Sequence, residues 1–162
     1  MPPATGAIRV SVIAVGRARR GPERALYEHY AARLGWPVTL KEVETRTGLP
    51  APVQRAREAE LLLAAAPKGA RLVALDQTGE LLTSEAFAAR LGAWRDQGAA
   101  EIAFLIGGAE GLDAVVRERA DLALALGRVT WPHLLVRGLL LEQLYRAQQI
   151  LLGHPYHRGR AP

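Results

Sequence analysis

The sequence predicts a single α/β domain, a mostly parallel sheet covered by helices on both faces. Two patterns carry that reading. Five short β-rich runs alternate with five stretches of helical periodicity, and the connections between them are short and rich in Gly and Pro. A third observation sets the scale: 162 residues with 49% hydrophobic content suit one domain with a real core, and no linker, repeat or low-complexity tract divides them. Residues 1–7 read as a flexible extension ahead of a domain that spans the rest of 1–162.

The elements follow in order. Ile8 to Val15 (IRVSVIAV) is β-rich and stops at Gly16, which makes it the first strand. Pro22 to Leu34 places Leu26, Tyr30, Ala31 and Leu34 at helical spacing, and Gly35 and Pro37 end that helix. Val38 to Val43 alternates like a half-buried strand; Pro52 to Ala66 is the second helix, closed by Pro67 and Gly69. Arg71 to Leu75 is a short strand running into Asp76-Gln-Thr-Gly79, which has turn chemistry. Ser84 is the expected cap of a helix whose Phe87, Leu91 and Trp94 share a core-facing side, with Gly98 just past its end. Ile102 to Ile106 is the fourth strand, Asp113 caps a short helix to Ala120, and Leu122 to Leu126 is the fifth strand. The last helix, Leu135 to Leu152, carries Val136, Leu140, Leu144, Ala147 and Leu151 on one stripe. Glu142 and Arg146 read as a solvated pair on it, four residues apart.

Composition narrows the chemistry. No apolar run reaches the ~20 residues of a membrane helix, and MPPATGA lacks the basic and apolar regions of a signal peptide, so a cytoplasmic address without membrane attachment is expected. With no Cys, four scattered His and no carboxylate cluster, no metal site is expected. The net charge of +5 suits a polyanion, and the basic residues beyond Arg128 (Arg137, Arg146, Arg158, Arg160) face a single acid, Glu142.

In open α/β sheets, ligands bind outside the carboxyl ends of the strands. Three such ends stand out: Leu75–Asp76, Ile106–Gly108 and Leu126–Trp131. Gly107-Gly108-Ala-Glu110-Gly111 invites a nucleotide, but it is not G-x-G-x-x-G, follows the fourth strand, lacks a P-loop Lys, and its Glu110 would repel pyrophosphate. A neutral or cationic ligand such as S-adenosylmethionine fits it better than a phosphate, while on this loop alone a tight strand-to-helix turn is the better explanation of the glycines.

The segments FLIGGAEGLD (104–113), LALGRVTWPHLLVR (124–137), EQLYRAQ (142–148) and HPYHR (154–158) resemble the RlmH-type members of the SPOUT class. IAVGRAR (13–19) and RLVALDQTG (71–79) agree more weakly. The resemblance spans nearly the whole chain. It implies a C-terminal trefoil knot and S-adenosylmethionine-dependent methylation of N3 of a pseudouridine in large-subunit ribosomal RNA. A homodimer acting on the assembled ribosome is implied too, each site borrowing the neighbour's tail or loops. By the same resemblance the cofactor lies against Leu75, Gly107, Leu126, Gly127, Arg128, Val129, Thr130 and Trp131. For the chemistry, His157 or Tyr156 is expected to deprotonate or orient the base, and Arg137 and Arg158 to hold phosphate or developing negative charge. His133 reads as an anchor of the loop after Pro132 and His154 as a helix-end residue. Leu135, Leu139 and Leu141 exceed what one helix face needs and suggest an interface. Two alternatives stay open: a SPOUT methyltransferase for a ribose 2′-OH or another base, and a noncatalytic RNA-binding domain. A short stretch before Ile8 and GRAP after Arg158 depart from the family pattern.

Overall fold

The computed structural model describes residues 7–157. Five strands, β1 (Arg9–Val15), β2 (Val38–Val43), β3 (Arg71–Leu81), β4 (Glu101–Ile106) and β5 (Leu122–Ala125), alternate with five helices. These are α1 (Pro22–Arg33), α2 (Ala51–Ala65), α3 (Ser84–Asp96), α4 (Ala114–Arg119) and α5 (His133–Leu151). The strands form one sheet in the order β2-β1-β4-β3-β5, every neighbouring pair parallel.

Side chains alternate across a strand, and the two buried faces of the sheet show it. Val10, Val12 and Ala14 of β1 and Ile102, Phe104 and Ile106 of β4 join the larger core with Phe87, Leu91, Leu140 and Leu144. Ile13 and Val15, with Ala103 and Leu105, face the other way onto Leu62 and Val116. Thus α1, α3 and α5 cover one face, α2 and α4 the other. Parallel strands have their carboxyl ends on one edge, so the loops after all five strands meet there.

Three boundaries differ from the sequence reading, each for a visible reason. Asp76–Gly79 does not end β3: the ladder to β5 shifts there, so that both Leu75 and Glu80 pair with Leu124. The polar residues leave the ladder as a bulge and the strand returns. Gly79 is required where it returns, because an added Cβ would lie 2.6 Å from the Ala123 carbonyl. The cap of α3 is Thr83, whose hydroxyl accepts from Ala86 N at 3.0 Å, whereas the Ser84 hydroxyl donates to Gln143 Oε1 at 2.8 Å. Finally, α5 starts two residues early, directly after Pro132.

Among the described residues no helix is long and apolar enough to cross a membrane, and no three metal-ligating side chains come together.

Candidate cofactor-binding site

The ends of β3, β4 and β5 open into a cleft of about 1080 Å³. Leu75 with the Asp76–Thr78 bulge forms one wall, Ile106 to Asp113 the floor, and Leu126 to His133 the third side. Seven of the eight positions expected to touch cofactor line it: Leu75, Gly107, Leu126, Gly127, Val129, Thr130 and Trp131. Arg128 does not; its guanidinium turns away and donates to the Gln77 carbonyl at 2.5 Å. Thr130 Oγ1 also donates to Gln77 Oε1, at 2.8 Å. The bulge and the 126–132 loop are therefore stitched together through Gln77. Trp131 closes the loop on itself, its indole N–H donating to the Leu126 carbonyl at 3.0 Å, with Gly127 at φ 109 making the turn.

The glycines of the floor are needed for space. Gly111 N donates to the Gly108 carbonyl at 3.0 Å, and a Cβ on Gly107 would sit 2.9 Å from the Gly111 carbonyl. A Cβ on Gly108 would meet Val15 Cγ1 at 2.9 Å and the Glu58 carboxylate at 3.1 Å. Since backbone cannot yield as a side-chain tip can, Gly107→Ala is expected to push the loop into the cleft. Overpacking of this kind costs about 1–3 kcal/mol, so cofactor affinity should fall by roughly 5- to 150-fold in calorimetry while the circular dichroism spectrum is retained.

The electrostatics favour a cation or a neutral ligand over a phosphate. Glu58 is buried directly behind Gly108, with one carboxylate oxygen unpartnered and the other accepting from Gln54 Nε2 at 3.1 Å. Glu110 is exposed on the loop and Asp76 lines the wall, its carboxylate paired to Arg117 at 3.2 Å. Apolar wall from Leu75, Ile106, Leu124 and Leu126 beside carboxylates suits a nucleoside joined to a cationic sulfonium. The residues present thus fit S-adenosylmethionine, which Leu75, Gly107 and the 126–131 loop would hold.

His133, set aside in the sequence as a loop anchor, lines the cleft at the first position of α5, with Nε2 3.5 Å from where a Gly16 Cβ would be. Burial, and then the Arg137 cation, hold its imidazole below the usual histidine range, with Glu58 opposing them. It is a neutral ring at pH 7. The signal missed was position: a His directly after a Pro that starts a helix on the ligand edge of the sheet.

Arg137 is not available as expected. Its side chain is 1% exposed, pairs with Glu42 Oε2 at 2.6 Å and donates to the carbonyls of Val15 at 3.2 Å and Gly16 at 2.8 Å. A guanidinium so enclosed braces the end of β1. Leu141 is likewise fully buried in the chain's own core, leaving only Leu135 and Leu139, both half-buried, of the proposed interface residues.

Tyr156 and His157 dock outside the cleft. Tyr156 packs edge-on against Tyr145 (ring centroids 4.8 Å apart), lies under Arg146, and bonds Glu142 Oε1 at 3.3 Å. His157 bridges Glu85 Oε1 at 2.7 Å and Arg146 Nη1 at 3.1 Å. Glu142 and Arg146 are therefore not a merely solvated pair; they are the half-buried dock of the tail. His154 is an exposed helix-end residue whose Nδ1 accepts from Tyr156 N. Arg158 lies outside the described residues. From His133 at the cleft to Glu142 and Arg146 at the dock, α5 rises about 14–20 Å at 1.5 Å per residue. None of the described tail residues lines the cleft of its own chain.

An all-parallel sheet with a ligand cleft across three strand ends, its floor glycine-rich and its rim carboxylate-bearing, defines a nucleoside-cofactor α/β protein, and the chain belongs to the SPOUT methyltransferase family. The family model described as a predicted SPOUT methyltransferase matches residues 8–157. Within that family the chain is similar to proteins named Ribosomal RNA large subunit methyltransferase H. The one from Rhodospirillum centenum is 64% identical across 94% of this chain and 100% of its own length. That from Paramagnetospirillum magneticum is 57% identical across 93% and 99%. Among solved structures, the SpoU methyltransferase AviRb of Streptomyces viridochromogenes, in complex with AdoMet, aligns with TM-score 0.48 and 16% identity. The alignment spans 91% of this chain and 60% of that one, a likeness too slight to bear on the chemistry.

Proposed function

We propose that the chain methylates N3 of a pseudouridine in large-subunit ribosomal RNA with S-adenosylmethionine as donor. We infer further that it acts as a homodimer on the assembled ribosome in the cytoplasm. One observation supports the arrangement: the described tail residues Tyr156 and His157 dock on α5 and α3 outside the cleft of their own chain, so in this reading the tail at each cleft comes from a second copy. The half-buried Leu135 and Leu139 are available to such a contact. A trefoil knot through the 126–132 loop is part of the same reading.

Bound in the cleft, the cofactor supplies an electrophilic methyl group. The N3–H bond must break as the new C–N bond forms, and the proton needs an acceptor. The partner's tail brings that acceptor, His157 or Tyr156, and Arg158 holds phosphate or developing charge. Burial first, then Glu142, keeps the Tyr156 hydroxyl above its ordinary value, so at neutral pH it orients by hydrogen bonding. His133, neutral and facing the cleft, is placed to hold the nucleobase edge.

Mass spectrometry of ribosomal RNA from cells with and without this protein tests the reading. The expected result is one pseudouridine lacking its N3-methyl in the deletion. Loss of a ribose methyl, or of a methyl on another base, would replace it by the corresponding SPOUT activity; unchanged RNA together with no cofactor affinity would leave an RNA-binding domain.

A further inference from the structure

Beside the cleft, on the same sheet edge, lies a row of arginines that neither the cofactor nor the transfer chemistry uses. The loop after β1, Gly16 to Gly21 (GRARRG), carries Arg17, Arg19 and Arg20, all exposed. The neighbouring loop after β2 carries Arg46, also exposed, and Arg55 in the second turn of α2 lines the cleft. Backbone and side-chain bonds hold these segments together. Gly16 N donates to the Val43 carbonyl at 2.9 Å and Ala18 N to Glu42 Oε2 at 2.7 Å. Gln54 Nε2 reaches Thr45 Oγ1, tying the second loop to α2 next to Arg55. Gly16 abuts His133 of the cleft wall. The segments that carry these arginines are therefore joined to one another and to the cleft wall.

Their electrostatic surroundings are unusual for this chain. Every arginine–carboxylate pair among the described residues lies elsewhere. Glu42, the carboxylate nearest Arg17, is already taken by the buried Arg137 and the Ala18 amide. Glu44 is the one acid within the two loops. Exposed guanidiniums outside every ion pair among the described residues, carried on adjoining loops beside the cleft, suit phosphates, which guanidinium binds in a fork.

We propose that Arg17, Arg19, Arg20 and Arg46 form the track that binds the phosphate backbone of the substrate RNA and aims it at the cleft. This rests on the reading of ribosomal RNA as substrate. Phosphate contacts position nucleic acid without specifying sequence, so the track governs encounter and register, not base choice.

The test compares wild type with Arg17→Gln/Arg19→Gln/Arg20→Gln and with the charge-retaining Arg17→Lys/Arg19→Lys/Arg20→Lys. Methylation of ribosomes and filter binding of large-subunit RNA fragments are both measured over a salt series. The glutamine variant is expected to keep cofactor affinity and kcat while KM for ribosomes rises on the order of tenfold to a hundredfold. Its slope of log affinity against log salt becomes shallower by about two to three. The lysine variant recovers most of the slope. An unchanged slope and KM in the glutamine variant overturn the track. The RNA-binding arm needs no turnover, so wild type that binds RNA with this slope yet methylates nothing would sink the functional reading while leaving the track standing.

Discussion

Changing Tyr156 to Phe and His157 to Ala together is expected to lower kcat by about 10²–10⁴-fold, the usual range for a lost acid–base group, with cofactor affinity within twofold of wild type. The separation follows from the geometry: neither residue lines the cleft, and both dock outside it, on Glu142 and Arg146 of α5 and Glu85 of α3. A mixing experiment then asks whose tail serves whose cleft. A chain with a blocked cleft, Gly107→Val, donates an intact tail; a chain with the altered tail donates an intact cleft. If the site is shared, co-refolding the two inactive chains restores turnover, because the mixed dimer contains one complete site. Restoration would fail if each cleft used its own tail, and gel filtration showing only monomer would remove the shared site altogether.

The parts of the fold governed by local periodicity were legible in the sequence. All five strands and five helices stand near where alternation and apolar spacing put them, and the ends of β4 and β5 at the cleft followed from sheet logic, whereas Leu75 and Asp76 reach it from within β3. What escaped was set by partners distant in sequence. Asp76–Gly79 has the composition of a turn, and only its registry with Leu124, on another strand, makes it a bulge. Glu142 and Arg146 have the spacing of a solvated pair, and only the tail folding back turns them into its dock. Arg137 sits in a basic region, yet Glu42, 95 positions away, takes its charge. A lone charged residue carries no local sign of whether its partner is a ligand or a carboxylate of the same chain.

That Glu42–Arg137 pair has the largest expected effect on stability. Arg137 is enclosed, and its charge is met by one carboxylate and two carbonyls. Glu42→Ala leaves the guanidinium buried without its anion, which costs about 3 kcal/mol, the low end of the range because Glu42 keeps 27% of its side chain in water. In a chain of this size that lowers Tm by roughly 6–12 °C. Arg137→Met should cost at least as much, because it leaves the Val15 and Gly16 carbonyls without their donors as well as stranding Glu42. The pH dependence separates charge from packing. Burial is the largest single influence on Glu42 and raises its pKa, but hydrogen bonds from Arg137 and the Ala18 amide, with the Arg137 and Arg17 charges, outweigh it and hold the carboxyl below its ordinary 4.5. A depressed folded-state value gives stability that is present above the unfolded value and lost as pH falls through the folded one. Wild type should therefore converge on Glu42→Gln as the pH drops below 4.5, in denaturant titrations at each pH; parallel curves would assign the loss to packing instead. The pair also reaches function indirectly. Arg137 fixes Gly16, from which the arginine loop leaves and against which His133 of the cleft rests. Its loss should therefore loosen RNA positioning and the cleft wall together, raising KM for ribosomes even at temperatures where the chain remains folded.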